Sequence, residues 1–145
     1  MTAKKINYNK KFLCIIDVNY NRAKEGLRVV EDIFRFIHKN DRIRQKTRTI
    51  RHAINQFIDY TLRIQAISTR DSAKDIGRAV DHFETKRTDE KDILLANLQR
   101  VKESLRVLEE CLKTVAPDSF AGIKNLRYKT YTLEKEILST IYNIK

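Results

Sequence analysis

The sequence predicts an all-α protein, two duplicated helical hairpins forming a four-helix bundle-like domain with pseudo-twofold symmetry. Three observations lead there. Three glycines and one proline in 145 residues, with 34% charged residues, many of them good helix formers, leave little material for turns or sheets. Apolar residues recur with helical period in four segments. The stretch NYNRAKEGLRVVED at 19–32 returns as NLQRVKESLRVLEE at 97–110, both reading N-x-x-R-x-x-E, a small residue, L-R-V-x-E and an acid. A core alone would repeat only the apolar letters.

The first helix is expected over about 19–38, with Ala23, Gly26, Leu27, Val30, Ile33, Phe34 and Ile37 on its apolar face and Glu25, Arg28, Asp32 and Arg35 opposite. The second runs over about 41–62 along Ile43, Thr47, Ile50, Ile54 and Ile58. Residues 68–87 have little helical period, and Gly77 marks a turn there, so this stretch is either a functional loop or a linker. Thr88, Asp89 and Glu90 supply an N-cap and an acidic first turn for a third helix reaching about Thr114. Pro117 and Asp118 open the fourth, whose inner stripe is Ile123, Leu126, Thr130, Leu133, Ile137 and Ile141. IRQKTRTIRHAI at 43–54 lines up with LRYKTYTLEKEI at 126–137. The duplicated unit is therefore a hairpin: one domain over 1–145, with repeat one at about 19–62, a connection at about 65–87 and repeat two at about 88–143.

Thirty basic against nineteen acidic residues give a net charge of +11. Interleaved acids allow a merely solvated surface, whereas clustering would make a cleft that draws in anions, nucleic acid or phosphorylated metabolites among them. The apolar run at 12–16 is far too short for a signal peptide or a membrane span, so a cytoplasmic protein is expected. Cys14 and Cys111 read as inert thiols rather than a disulfide framework or zinc site. Two hairpins leave open apolar surface, and a homodimer is a further expectation.

Projected at roughly 100° per residue, Arg22 falls beside Gly26, Val29 and Ile33, at the edge of or within the buried face, with Asn19 pointing inward. Arg100 falls beside Ser104, Val107 and Cys111, with Asn97 before it. Two readings follow. Glu25 and Glu103, three residues on, pair with their arginines in a duplicated internal network. Alternatively, the halves point Arg22, Arg100, Asn19 and Asn97 into one polar cavity, where guanidinium groups grip a phosphate bidentately.

The segments DVNYNRAKEGLRVVEDIFRF, IRH at 50–52, RDSAKDIG at 70–77, ANLQRVKESLRVLEE and LRYKTYTLEKEI together resemble the helical domain found ahead of the barrel in fused thiamine-phosphate synthases of some bacteria. The barrel itself is absent, since 145 residues cannot hold it and no βα alternation appears, so the domain is expected to stand alone. The resemblance implies an alternative hydroxymethylpyrimidine phosphate kinase, using ATP and Mg²⁺ to deliver the pyrimidine diphosphate that the synthase consumes. On that reading Arg22, Arg51, Arg70 and Arg100 hold phosphates, with Asn19, Glu25, Asn97 and Glu103 beside them. Asp71 and Asp75 carry the metal, and His52 or Asp17 orients the nucleophile. Glu31, Glu109 and Arg127 match as well, with no role attached. No G-x-x-x-x-G-K-S/T loop is present, so an ATP site would be unusual. Two other classes stay open. One is a non-catalytic module holding the pyrimidine phosphate, or a synthase in trans. The other is a nucleic-acid binder using Arg42, Arg44, Arg48, Arg51, Arg63 and Arg70 with Tyr128 and Tyr131, although Tyr131 and Glu134 replace Arg48 and Arg51 in the second copy.

Overall fold

The computed structural model describes residues 2–80 and 86–144. These residues fold into five α-helices with no strand among them: α1 (Thr2–Asp32), α2 (Asp41–Phe57), α3 (Tyr60–Ile67), α4 (Glu90–Val115) and α5 (Phe120–Tyr142). A π-helical turn, Ile33–Ile37, continues α1, and short 3-10 turns occupy Ser72–Lys74 and Pro117–Ser119. Helix α1 packs along α4 and also against α2 and α3, while α5 packs on α4 and α2. The long pair is antiparallel, because Gly26 lies by Asn97 and Val101 while Cys14 lies near Cys111. The four long helices α1, α2, α4 and α5 make the bundle, and α3 is laid against the outer side of α1.

The expected stripes enter the core. Ile43, Thr47, Ile50 and Ile54 are buried from α2, as are Ile123, Leu126, Thr130, Leu133 and Ile137 from α5. The two threonines are tolerated inside because each hydroxyl donates to the carbonyl one turn back, Thr47 to Ile43 at 2.8 Å and Thr130 to Leu126 at 2.9 Å. Three caps set the helix starts: Asn40 accepts from the Ile43 amide, Asp59 from Leu62 and Asp89 from Asp92.

Three boundaries differ from expectation. Helix α1 begins far ahead of residue 19. The second helix breaks after Phe57, because Ile58 leaves helical dihedrals and Asp59 caps a new helix with its carboxylate. The π-helical turn inserts extra backbone between Phe34 and His38, with His38 N–H bonding Ile33 O, so the 3.6-residue period slips. Ile37, expected inside, is therefore 58% exposed.

The small residue of the repeated motif has a packing cause. A Cβ at Gly26 would lie 2.7 Å from Val101 Cγ2 and 3.2 Å from the Asn97 carbonyl oxygen, so α4 crosses directly over this position. Alanine has the higher helix propensity by up to about 1 kcal/mol, but overpacking typically costs about 1 to 3 kcal/mol. Gly26→Ala is accordingly expected to lower stability by a net of about 1 kcal/mol, and Gly26→Leu to do so far more severely. Urea unfolding measures both, and a stabilised alanine variant would refute the close crossing.

Candidate functional site

Arg22 and Arg100 are exposed, and neither Glu25 nor Glu103 forms an ion pair with them among the described residues. Arg22 donates weakly to Asn19 Oδ1 at 3.5 Å, and Glu103 accepts from Gln99. The space that the small residue seemed to leave is filled by α4 itself, and a guanidinium at the rim of that crossing keeps its hydration by turning outward. Asn19 is buried and Asn97 half-buried, but each amide donates to the carbonyl four residues back, Ile15 and Ile93. The Arg–Glu network is thus corrected by the geometry, and the two arginines expected to line a cavity stand exposed.

The repeated polar letters that are buried in both copies are the glutamates near the end of the motif. Glu31 is 3% exposed and Glu109 is 2% exposed. Glu31 accepts from Arg51 Nε at 2.8 Å, tying α1 to α2. Glu109 accepts from Arg127 Nε at 2.9 Å and from Arg106 at 3.1 Å, tying α4 to α5. Inside the bundle an unpaired carboxylate would be costly, so each must bring a cation with it. The sequence signal was there: position 31 lies on the flank of the stripe formed by Leu27, Val30 and Phe34.

Arg51 is 14% exposed, and the bond to Glu31 uses only its Nε. Around it the structure gathers cations from three helices. Lys24 on α1 faces Arg51 and Arg63, and its pKa is lowered, first by burial and then by those two positive neighbours. His52 on α2 has a lowered pKa as well, through desolvation first and then through Arg51, Lys24 and Arg48, with Glu31 opposing. Arg63 on α3 stacks its guanidinium 4.5 Å over the Tyr20 ring, and its Nε is buried without a hydrogen-bond partner among the described residues. Lys24 lies over the same ring at 5.6 Å and bonds Asn55 Oδ1 at 3.2 Å, an oxygen also bonded by the Tyr20 hydroxyl at 2.6 Å. Beside this face a cavity of about 270 Å³ opens between α1 and α3, lined by Asp17, Tyr20, Asn21, Arg63 and Arg70 among others. From sequence, Lys24, Tyr20 and Asn55 are not candidate site residues, and Arg63 enters only as part of a nucleic-acid surface; Tyr20, Asn55 and Arg63 have no like residue in the second copy, and Lys24, though duplicated as Lys102, reads as one more surface charge.

Of the other expected site residues, Asp17 is buried and both its oxygens are taken by Arg70, each at 2.7 Å. It anchors Arg70 at the cavity mouth instead of standing free to accept a proton. Asp71 caps the Ser72–Lys74 turn through Oδ1, and Asp75 Oδ1 accepts from Gly77 N–H at 2.9 Å. The second oxygen of each carboxylate has no protein partner among the described residues. No group of three or more His, Cys, Asp or Glu side chains able to hold a metal forms among the described residues. Mg²⁺ commonly takes one or two carboxylates together with substrate phosphate oxygens, and a carboxylate oxygen left free on Asp71 and on Asp75 is of the type that ion binds. His52 is exposed and accepts from Arg48 Nε at 3.4 Å. No described helix is long and apolar enough to cross a membrane.

Residues 14–136 match the ThiD2 family. The chain belongs to the ThiD2 family. It is 41% identical over 127 residues to a thiamine-phosphate synthase of Synechocystis sp., covering 87% of this chain and 36% of that protein. Comparable matches are the thiamine-phosphate synthases of Gloeobacter violaceus, 39% identical over 84% of this chain and 35% of that one, and of Rhodopirellula baltica, 34% identical over 89% and 35%. The chain therefore spans about a third of the length of these relatives. No solved structure matches it.

Two outcomes follow from this geometry. Arg51→Met leaves buried Glu31 only the longer contact of 3.7 Å to the exposed Arg28 and is expected to cost about 3 kcal/mol, much of it recovered when Glu31→Leu is added; chemical denaturation of the single and double variants tests the pairing. His52 is expected to titrate below its usual pKa of about 6.5 in the free protein. Between those two values the unfolded chain holds more protons. The histidine's contribution to stability is thus present above the unfolded value and lost as the pH falls through the folded one. Ring NMR titration reads the pKa, and His52→Gln should flatten that part of the stability profile.

Proposed function

We propose that this chain phosphorylates hydroxymethylpyrimidine phosphate to the diphosphate in thiamine biosynthesis, with the acceptor held on the cationic face of α1, α2 and α3. The observation that carries the reading is the convergence of Lys24, Arg51, His52 and Arg63 beside the Tyr20-lined cavity, where burial first and positive neighbours second lower the pKa of Lys24 and of His52, and Arg63 keeps an unpartnered buried N–H. Such a cluster is destabilised when empty and relieved by an anion. Family membership and the names of the relatives point to the same pathway.

The chemistry asks little of a base. A phosphomonoester has its second pKa near about 6, so its oxygen is already an anionic nucleophile at neutral pH. That oxygen attacks the γ-phosphorus of ATP; the new P–O bond forms as the bond to the β-phosphate oxygen breaks, and ADP leaves with the electron pair. What the site must supply is screening, since two polyanions have to meet. Arg63 and Arg70 flank the cavity for this purpose, and Arg70 is oriented by the bidentate grip of Asp17. Asp71 and Asp75 would hold Mg²⁺, which supplies further charge neutralisation between the phosphates.

Purified protein with ATP, Mg²⁺ and hydroxymethylpyrimidine phosphate should yield the diphosphate, seen directly by phosphorus NMR. Arg63→Ala and Arg70→Ala should each lower kcat/KM by at least about a hundredfold if their charges act in the transition state. Tight binding of the pyrimidine phosphate without turnover would replace the kinase by a carrier module.

A further inference from the structure

The two repeats treat the same lysine differently. The 78-residue offset between NYNRAKEG and NLQRVKES makes Lys24 the counterpart of Lys102, and the 83-residue offset between the second-helix motifs makes Arg51 the counterpart of Glu134. In repeat two the Lys102 ammonium is held by both oxygens of Glu134, at 2.7 and 3.0 Å, and lies 5.7 Å over the Tyr131 ring. In repeat one the Lys24 ammonium also lies over a tyrosine, Tyr20, but its hydrogen-bond partner is the neutral Asn55, and Arg51 and Arg63 are its charged neighbours. The buried glutamate remains in both copies; only its cation has moved. Arg127, the counterpart of Arg44, grips Glu109, whereas Arg51, seven residues beyond Arg44, grips Glu31. Seven residues are two helical turns, so the same face of the second helix is used in either case. With Glu109 held by Arg127, position 134 is not needed for a cation and carries an acid.

We infer that the Glu134 carboxylate is a built-in occupant of the second copy's anion site, and that the corresponding place in front of Lys24 and Arg51 is a single external oxyanion site, which takes the phosphate of a phosphomonoester. The charge arithmetic agrees: in repeat two the lysine meets one internal carboxylate, while in repeat one the lysine, two arginines and a histidine share only Glu31, which Arg51 and Arg28 already engage. A tetrahedral dianion suits this setting, since it can accept from the Lys24 ammonium and from the two terminal nitrogens of Arg51, which make no protein hydrogen bond among the described residues. The inference rests on the proposed function for the identity of the ligand, and it adds which phosphate sits where and that one chain, although duplicated, binds one.

The test uses the full chain and inorganic phosphate. Titration should move the His52 ring resonances and raise the pKa of that histidine, saturate at one phosphate per chain, and leave the Tyr131 ring unmoved. Lys24→Gln should weaken phosphate binding at least about tenfold, because a charge-assisted bond is lost, while the phosphate-free protein melts no lower than the unaltered chain, because a half-buried cation is removed from beside Arg51 and Arg63. Glu134→Gln leaves the Glu109 pair in place and should open a second, weaker phosphate site read at the Tyr131 ring. Two phosphates on the unaltered chain, unchanged affinity in Lys24→Gln, or no second site in Glu134→Gln would each overturn the inference. Phosphate bound at Lys24 with no diphosphate formed would sink the kinase and leave this site standing; turnover indifferent to Lys24→Gln would do the reverse.

Discussion

The close crossing of α1 and α4 at Gly26 is the constraint from which the rest of the bundle follows. With Val101 and the Asn97 carbonyl occupying the space a side chain would need, the two longest helices approach backbone to side chain, and only small residues fit at that point. The neighbours must then be accommodated at its rim. Asn19 and Asn97, drawn toward the contact, satisfy their amides on their own helices, so no polar group is stranded where the helices meet. Arg22 and Arg100 are too long and too strongly hydrated to enter, and they turn out. The duplication of Asn, Arg and the small residue therefore records how the two copies cross.

The second constraint is electrostatic and sets the site. Burying Glu31 and Glu109 between helices obliges each hairpin to deliver an arginine from its second helix, and this fixes the register of α2 on α1 and of α5 on α4. In the first hairpin the arginine chosen, Arg51, stands one turn from Arg48 and beside His52, so a structural pair brings excess positive charge to the surface next to Lys24. Helix α3 then adds Arg63, and the chain beyond it adds Arg70, locked by Asp17. The break at Ile58 and Asp59 matters for this reason, since one uninterrupted helix would have carried Arg63 away from Tyr20 instead of across it.

What the sequence could reveal tracks the range of the interaction. The apolar stripes of α2 and α5, the Asp89 cap and the Pro117 turn that leads into α5 are local patterns, readable as such. The Asp59 cap was equally local but lay hidden because the apolar helical period runs on through Ile54, Ile58 and Leu62. The π-helical turn has no compositional mark, and it alone reverses the expected burial of Ile37. Projection at helical period placed Arg22 on a boundary and could not say which way a long flexible side chain would leave it; that depended on what the other copy put at Val101. Of the site, Asp17, Arg51, His52 and Arg70 were legible as chemistry-bearing letters, whereas Lys24, Tyr20, Asn55 and Arg63 become neighbours only through the packing of three helices.

An all-helical scaffold also determines how a phosphate can be held under the proposed function. Glycine-rich loops bind phosphate with backbone N–H groups, but within these helices those donors are committed to intrahelical bonds, and the few glycines lie at a helix crossing, in a loop and against the Phe57 ring. Side-chain cations are the remaining means, and guanidinium groups suit it best because they stay charged when crowded. Crowding them raises the energy of the empty site, which the fold must bear through its buried pairs and its close-packed crossing. A net charge of +11 is then the expected cost of binding polyanions without a nucleotide loop. The same logic explains why one copy was neutralised: two empty cationic clusters would strain a bundle of this size twice over, and an acid at position 134 removes one of them while keeping the duplicated lysine.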